Sequence, residues 1–191
     1  MGSCCRDVGA INLGRAGLRT ILFDASAESW LARSTDSATQ DWFVKYLARH
    51  PVYVSAITVL ERMRGFGLLL AHSVGPKKEQ ISAAQKAYLG NLGQVCPVDA
   101  ATALAGAGLM VLLPQPPSPP RRAHRMVESR QDRLVRWRFD ILVAATALVT
   151  ELPLVHNNPA DFEAIRAAVE TSPDRFPKVG PLSLISVARL V

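Results

Sequence analysis

Four acidic side chains are candidates for chemistry because each one adjoins a short apolar segment of the sequence. They are Asp24, Glu61, Asp140 and Asp161. Clustered carboxylates repel one another, so their ionised forms are stable together only beside a cation. Carboxylate oxygens with no accompanying set of Cys or His ligands suit Mg²⁺ or Mn²⁺ rather than zinc. Since such an ion activates water beside a phosphate ester, the four acids indicate metal-assisted phosphodiester cleavage.

The elements that must position these acids are short apolar strands alternating with helices, a pattern typical of a parallel α/β sheet. The pattern predicts strands at 20–23, 52–54, 94–98, 154–156 and 182–187, and helices at 38–49, 56–71, 76–89, 100–113 and 161–169. Sites in open parallel sheets form outside the carboxyl ends of the strands. Asp24 ends the first strand and Asp161 follows the fourth, so we expect the acids to converge on one edge.

Asp140 precedes nine apolar or near-apolar residues, 141–149, and is therefore predicted to begin a buried helix. As an N-cap its carboxylate would suit the positive end of the helix dipole, and the same geometry would point it at the strand ends. Each of the other acids also has a structural interpretation as a turn, a solvated helix position or a cap. Their joint placement favours a functional site.

The segment 121–138 is strongly basic, with seven arginines and His124 against Glu128 and Asp132. If this segment is helical, several arginines share a helical face and form a candidate RNA-binding surface whose affinity would depend on salt. The candidates are Arg122, Arg125, Arg133, Arg136 and Arg138. The alternative is a solvated helix face with local ion pairs.

The composition indicates one globular domain with a basic surface. Of 191 residues, 49% are hydrophobic, and 22 basic against 16 acidic side chains give a net charge of +6, which favours a polyanionic or acidic partner. Three cysteines fit a reducing compartment, and no apolar run reaches the roughly 18–20 residues that span a membrane, so we expect a cytoplasmic protein. Residues 1–18 are expected to be a poorly ordered extension to a single domain at 19–191. The Pro-rich segment 114–120 is expected to be an extended connection, although its PxxP spacing also suits an SH3-type partner.

Four segments together resemble a PIN domain, of the kind found in the toxin component of VapBC toxin–antitoxin modules. They are LFDAS, SAITVLERMRG, RFDILVAATAL and LVHNNPADF, and the resemblance extends over roughly 20–187. It implies a three-layer α/β/α sandwich with a mainly parallel sheet of about four to five strands. It also implies a catalytic, metal-binding cluster of Asp24, Glu61, Asp140 and Asp161. Ser26 and Asn158 match positions that support the acids or contact phosphate.

The resemblance further implies a Mg²⁺- or Mn²⁺-dependent endoribonuclease that cleaves RNA through an activated water. It implies an antitoxin partner and a homodimer. The chain departs from the family pattern at two positions. The family usually has Thr or Ser where this chain has Ala25, and often Thr where it has His156. These departures motivate the alternative of a non-catalytic PIN-like module that binds RNA or protein. A receiver-like signalling domain is a further alternative, but it needs a lysine directly after a late strand. None directly follows the strand that ends at His156, and Lys178 is poorly placed.

Overall fold

The computed structural model describes residues 20–120, 122–123, 126–176 and 179–190, with only the backbone described at 122, 123 and 126. The expected extension 1–18 and the candidate RNA-binding residue Arg125 lie outside the described residues.

A five-stranded, fully parallel sheet forms the centre of the molecule, in the order β3-β2-β1-β6-β7. Its strands are β1 (Leu22–Phe23), β2 (Tyr53–Ser55), β3 (Gln94–Cys96), β6 (Leu154–His156) and β7 (Leu184–Ser186). A separate antiparallel hairpin consists of β4 (Arg122–Ala123) and β5 (Met126–Val127). The sheet confirms the predicted parallel architecture and all five predicted strands.

In the residue ranges that the structure describes, seven α-helices surround the sheet. They are α1 (Ala25–Arg33), α2 (Ser37–Leu47), α3 (Ala56–Ala71), α4 (Gly75–Gly90), α5 (Ala100–Leu112), α6 (Arg130–Thr150) and α7 (Pro159–Thr171). Side chains alternate across each strand, so Leu22 and Leu154 join a core with α5, α6 and α7, whereas Phe23 and Val155 join a second core with α1 and α2. The two cores confirm a three-layer α/β/α sandwich.

Local sequence signals account for several helix starts. The Ser55 hydroxyl accepts a hydrogen bond from the Ile57 N–H at 3.2 Å, and the Asp99 carboxylate accepts one from the Thr102 N–H at 2.8 Å. Both residues are the N-caps that the sequence predicts for α3 and α5. Helix α1 and the β4–β5 hairpin were not predicted.

The prediction that Asp140 begins a helix is wrong. Helix α6 begins ten residues earlier, at Arg130, with Ser129 as its N-cap; the Ser129 hydroxyl accepts from the Asp132 N–H at 3.0 Å. Residues 130–139 contain neither glycine nor proline, so nothing in the sequence stops the helix from extending to Ser129. Trp137 is buried and its indole N–H donates to the Leu113 carbonyl at 2.8 Å, which fixes this first half of α6 against the protein.

Between α5 and β4, the Pro-rich segment 114–120 contains no helix or strand, as predicted for an extended connection. Pro116 is buried within it.

In the part of the chain that the structure describes, no helix combines the length and the apolar character needed to cross a membrane.

Candidate functional site

Asp24 lies at the carboxyl end of β1, the central strand, and is the N-cap of α1. One carboxylate oxygen accepts the Ala27 N–H at 2.6 Å, and the Ser26 hydroxyl lies 2.7 and 3.0 Å from the two carboxylate oxygens. The same hydroxyl accepts the Asn157 N–H at 3.1 Å, which joins the ends of β1 and β6. These contacts hold Asp24, only 4% exposed, in one orientation at the point where the strand order reverses.

Glu61 and Asp140 reach the same place from two helices. Glu61 lies in the second turn of α3, which follows β2, and Asp140 lies in the middle of α6, 8% exposed. Both line one cleft together with Asp24. The structure therefore brings three of the four predicted acids to one opening, at the edge where the sequence predicted them.

The electrostatics of Asp140 show how close these charges are. Burial raises the pKa of Asp140 well above its usual range, and the neighbouring carboxylates of Glu61, Asp161 and Asp24 raise it further, against the opposing charge of Arg136. Ionised Asp140 therefore costs folding free energy unless a cation offsets it.

Asp161, the fourth predicted acid, is fully buried and hydrogen-bonded on both oxygens. Ser118 donates its N–H and its hydroxyl to Asp161 at 3.1 and 3.0 Å, and Arg136 donates to it at 3.1 Å. The Asn158 amide bridges Asp161 and Asp140, at 2.6 and 3.2 Å respectively. Asp161 thus adjoins the cleft through Asn158 and does not line it.

The cleft has a volume of about 410 Å³ and combines an acidic floor with basic and apolar walls. Its lining residues are Asp24, Ala25, Ser26, Ser29, Arg33, Glu61, Arg62, Gly65, Phe66, Leu69, Arg136, Asp140 and Asn158. Ser29, Arg33 and Arg62 were missed by the sequence analysis. The Asp-Ala-Ser start of α1 would have revealed the first two, because Asp is a favoured N-cap.

The cleft wall formed by Arg62 is a small, half-buried network. The Arg62 guanidinium lies 5.7 Å from the Phe66 ring centre and 5.3 Å from that of Tyr88, with Glu28 at 3.6 Å. Burial is the main cause that raises the pKa of Glu28, and it raises the pKa of Tyr88 to about 12. Arg62 is therefore held rigidly beside Glu61.

The predicted helical stripe of arginines does not form, because residues 122–123 and 126–127 are strands. Of the five predicted arginines, Arg133, Arg136 and Arg138 lie on α6. Arg133 donates to the carbonyl oxygens of Pro116 and Ser118. Arg138 is exposed, and the side chain of Arg122 is not among those described. Of the predicted arginines whose side chains are described, Arg136 alone lines the cleft.

His156 is a buried structural residue at the end of β6. Its Nδ1 accepts the Asn158 N–H at 3.3 Å, and its ring centre lies 5.0 Å from that of Phe162. Burial lowers the pKa of His156 to about 4, so the ring is neutral at pH 7. It orients the loop that carries Asn158.

Comparisons with solved structures show which fold this chain shares. Neither a family model nor a curated protein matches the sequence. Among solved structures, VapBC2 from Rickettsia felis bound to a DNA fragment from its promoter matches with a TM-score of 0.55 at 15% identity, over 88% of this chain and 98% of the matched chain. FitAcB from Neisseria gonorrhoeae matches with a TM-score of 0.54 at 19% identity, over 89% and 99%. DNA-bound VapBC from Salmonella typhimurium matches with a TM-score of 0.53 at 14% identity, over 88% and 98%.

The chain has the PIN-domain fold. The resemblance carried by four short sequence segments is confirmed at the level of fold.

The donor set of this PIN fold suits a hard divalent cation, although the side chains do not already form a coordination sphere. Asp24, Glu61 and Asp140 offer only oxygen atoms, as Mg²⁺ and Mn²⁺ prefer. Within the described residues, no group of three or more Asp, Glu, His or Cys side chains is arranged to hold a metal ion. The three carboxylates thus share a cleft, and a cation would have to draw them together.

Proposed function

We propose that this PIN-fold chain is a divalent-metal-dependent endoribonuclease, the toxin of a VapBC-type toxin–antitoxin pair. The observation that carries the proposal is the convergence of Asp24, Glu61 and Asp140 in one cleft at the carboxyl edge of the sheet. Mutual repulsion of these carboxylates destabilises the fold, and strongly perturbed acids of this kind cluster at functional sites. Oxygen-only ligands suit a hard cation that also binds phosphate.

In this proposal Asp24, Glu61 and Asp140 hold Mg²⁺ or Mn²⁺, while Ser26 and Asn158 orient the acids. When bound, the ion supplies a Lewis acid that lowers the pKa of water and offsets charge on the phosphate. The ionised carboxylates accept the proton released when water attacks the phosphodiester in line, and cleavage leaves a 5′-phosphate and a 3′-hydroxyl. Arg33, Arg62 and Arg136 provide positive charge along the cleft for the flanking phosphates.

The reaction requires that the acids be ionised and intact, which gives a direct cellular test. Induced expression of the wild-type chain in a bacterium is expected to arrest growth. Asp24→Asn and Asp140→Asn are expected to relieve the arrest at equal protein levels. Growth arrest that persists unchanged in both variants would show that the toxic activity does not depend on the acidic cleft.

The proposed partner is a small antitoxin, produced with the chain in the cytoplasm. VapBC2 of Rickettsia felis was solved on a promoter DNA fragment, which motivates the same type of pair here. Leu60, Leu68 and Leu69 on α3 are 49%, 50% and 53% exposed, an apolar surface that suits an antitoxin or a second copy of the chain in a homodimer.

The antitoxin proposal is tested on the neighbouring upstream reading frame. Its product should be a short DNA-binding protein that co-purifies with the chain and suppresses growth arrest. Light scattering of the isolated chain then measures the proposed dimer. A neighbouring product that neither binds the chain nor restores growth would argue against the toxin–antitoxin assignment.

A second candidate is a PIN-like module that binds RNA or a protein without cleaving it. The arrangement of Asp24, Glu61 and Asp140 without a ready coordination sphere favours this candidate. Calorimetric titration with Mn²⁺ separates the two. Binding that is lost in Asp140→Asn supports the nuclease, and absence of Mn²⁺ binding to the wild-type chain supports the non-catalytic module.

A further inference from the structure

The Pro-rich segment 114–120 is held to the protein by hydrogen bonds at Pro116 and Ser118. Arg133 donates to the Pro116 carbonyl at 2.8 Å and to the Ser118 carbonyl. Ser118 in turn donates its N–H and its hydroxyl to Asp161. The segment therefore links α6 to α7 through hydrogen bonds, and Ser118 within it contacts Asp161, a predicted metal ligand. We call residues 114–120 the strap.

Arg136 is clamped beside the same acid. Its Nε and one Nη each lie 3.0 Å from a carboxylate oxygen of Glu128, and its other Nη lies 3.1 Å from Asp161. A guanidinium has five N–H donors, and these three bonds leave two of them. Arg136 also lines the cleft, so its guanidinium borders the space that a ligand would occupy.

Asp161 is poorly suited to bind a metal ion in this arrangement. Its two oxygens together accept four hydrogen bonds, from Ser118, Arg136 and Asn158, and the side chain is 0% exposed. A dication at Asp161 would have to displace a guanidinium that already pairs with the carboxylate. A charge-assisted hydrogen bond of this kind is among the strong hydrogen bonds of proteins.

We propose that Arg136 takes the place of a second metal ion at this end of the cleft, where it binds the RNA phosphate, and that Asp161 and Ser118 are its mount. One divalent ion then binds, at Asp24, Glu61 and Asp140. Asp161 is a positioning residue that holds Arg136 and the strap. This inference rests on the proposed nuclease function and assigns its fourth acid a different role from metal binding.

Opposite changes in two affinities distinguish this role from a merely structural one. Arg136→Gln is expected to bind Mn²⁺ about five-fold more tightly or more, because a unit charge that repels the dication is gone. It is expected to bind a labelled 12-nucleotide RNA about ten-fold more weakly in EDTA, with a salt dependence reduced by about one phosphate contact. Arg138→Gln removes an exposed charge two residues away and should change Mn²⁺ affinity less than about two-fold. Parallel weakening of both ligands by Arg136→Gln overturns the proposal.

Calorimetric counting of Mn²⁺ tests the role of Asp161. The wild-type chain is expected to bind one ion, and Asp161→Asn to keep its affinity within about three-fold, whereas Asp140→Asn loses at least about 30-fold. Two ions per wild-type chain, or an equal loss in both variants, overturns the proposal. If Asp161→Asn does not fold, Ser118→Ala removes one contact of the mount without touching an acid, and it should leave Mn²⁺ affinity unchanged.

Hydrogen exchange tests the mount without reference to metal or RNA. Five of the seven residues in 114–120 are prolines, so the segment has only the Gln115 and Ser118 amide protons, and Gln115 is exposed. One slowly exchanging amide is expected in the wild-type chain, and Asp161→Asn should accelerate it at least about ten-fold. Fast exchange of both amides in a chain that binds Mn²⁺ overturns the mount alone. Absence of Mn²⁺ binding overturns the single-ion site and the proposed function together, whatever the exchange shows.

Discussion

At the scale of single residues, Asp140 is a carboxyl group held where ionisation is unfavourable. Burial and then the charges of Glu61, Asp161 and Asp24 raise its pKa well above its usual value, and Arg136 offsets only part of this. A carboxyl whose pKa is raised on folding destabilises the fold at every pH above its unfolded pKa, increasingly until the folded pKa is passed. The metal-free protein is thus less stable at neutral pH than its packing allows.

We therefore predict that Asp140→Asn increases the free energy of unfolding of the metal-free chain at pH 7 by at least about 1 kcal/mol. The amide removes the charge and can still accept the bond from Asn158, which lies 3.2 Å from the acid. Urea denaturation in EDTA measures the effect. Asp41→Asn, on the exposed face of α2, is the control and should change stability by less than about 0.5 kcal/mol. A loss of stability in Asp140→Asn would show that the carboxylate is well satisfied without a cation.

The lowered pKa of His156 predicts that folding stability depends on pH with the opposite sign. Burial lowers its pKa in the folded chain to about 4, whereas an unfolded histidine titrates near 6.5. The unfolded chain therefore binds more protons between these values, so this contribution to stability is complete above about pH 6.5 and is lost as the pH falls towards 4. The loss is about 3 kcal/mol, since one pKa unit corresponds to about 1.4 kcal/mol.

The measurement is the difference in unfolding free energy between the wild-type chain and His156→Gln at pH 7 and at pH 4. We expect the wild-type chain to lose about 3 kcal/mol more than the variant over this range. His72→Gln, at an exposed position after α3, should behave as the wild-type chain does. An identical pH slope in His156→Gln would mean that the ring is already accessible to protons.

The sequence predicted where the acids lie better than what each of them contacts. Asp24, Glu61 and Asp140 were predicted to meet because parallel strands end at one edge, and they do line one cleft. The use of Asp161 by Ser118 was not predictable, since the two are 43 residues apart and no local pattern links them. Contacts between a loop and a helix depend on the whole fold, whereas strand ends depend on the order of the elements.

At the scale of elements, the continuity of α6 decides how Asp140 is held. A carboxylate in mid-helix has its backbone fixed on both sides, which suits a rigid ligand better than a frayed helix start. We predict that Arg138→Pro destabilises the chain by at least about 3 kcal/mol, because proline within a helix removes a hydrogen bond and its ring clashes with the preceding turn.

Arg138→Ala is the matched control, since it removes the same exposed side chain and leaves the helix intact. It should change stability by less than about 0.5 kcal/mol in thermal or urea unfolding. If proline were as well tolerated as alanine, α6 would begin after position 138, as the sequence analysis first suggested.

The elements that the sequence analysis missed have weak local signals. Helix α1 is only nine residues long and begins two residues after a two-residue strand. The sequence analysis placed Asp24 at the end of that strand, with a turn as the alternative, and predicted no helix after it. The β4–β5 hairpin lies among arginines that gave no period-two pattern. By contrast α3 was predicted with its observed bounds, since Ser55 caps it and its apolar residues are continuous from strand β2.

At the scale of the whole molecule, the strand order brings distant parts of the sequence to one edge. Strand β1 lies between β2 and β6, so residues after each of these three strands surround the same opening. The order of strands and helices was readable from hydrophobic patterning, and the sheet followed from it. The volume of the cleft was not readable, because it depends partly on α1, which was missed. Of the arginines that line the cleft, Arg136 was predicted, whereas Arg33 on α1 and Arg62 on α3 were not.

Binding of one ion to this edge should stabilise the whole fold. A ligand that binds only the folded chain adds about 2.7 kcal/mol at 100 times its dissociation constant. We predict that saturating Mn²⁺ raises the melting temperature of the wild-type chain and leaves that of Asp140→Asn nearly unchanged. The stability difference between the two proteins that is found in EDTA should therefore become smaller or change sign. An equal response to Mn²⁺ in both proteins would place the ion away from the acidic cleft.

The most direct test of the nuclease is cleavage of an end-labelled single-stranded RNA by the purified chain, with Mg²⁺ or Mn²⁺ and with EDTA. We predict cleavage only with the divalent ion, products that carry 5′-phosphates, and a loss of at least about 100-fold in both Asp24→Asn and Asp140→Asn. Cleavage that continues in EDTA, or that proceeds at the wild-type rate in both variants, would contradict a metal-dependent nuclease at these acids.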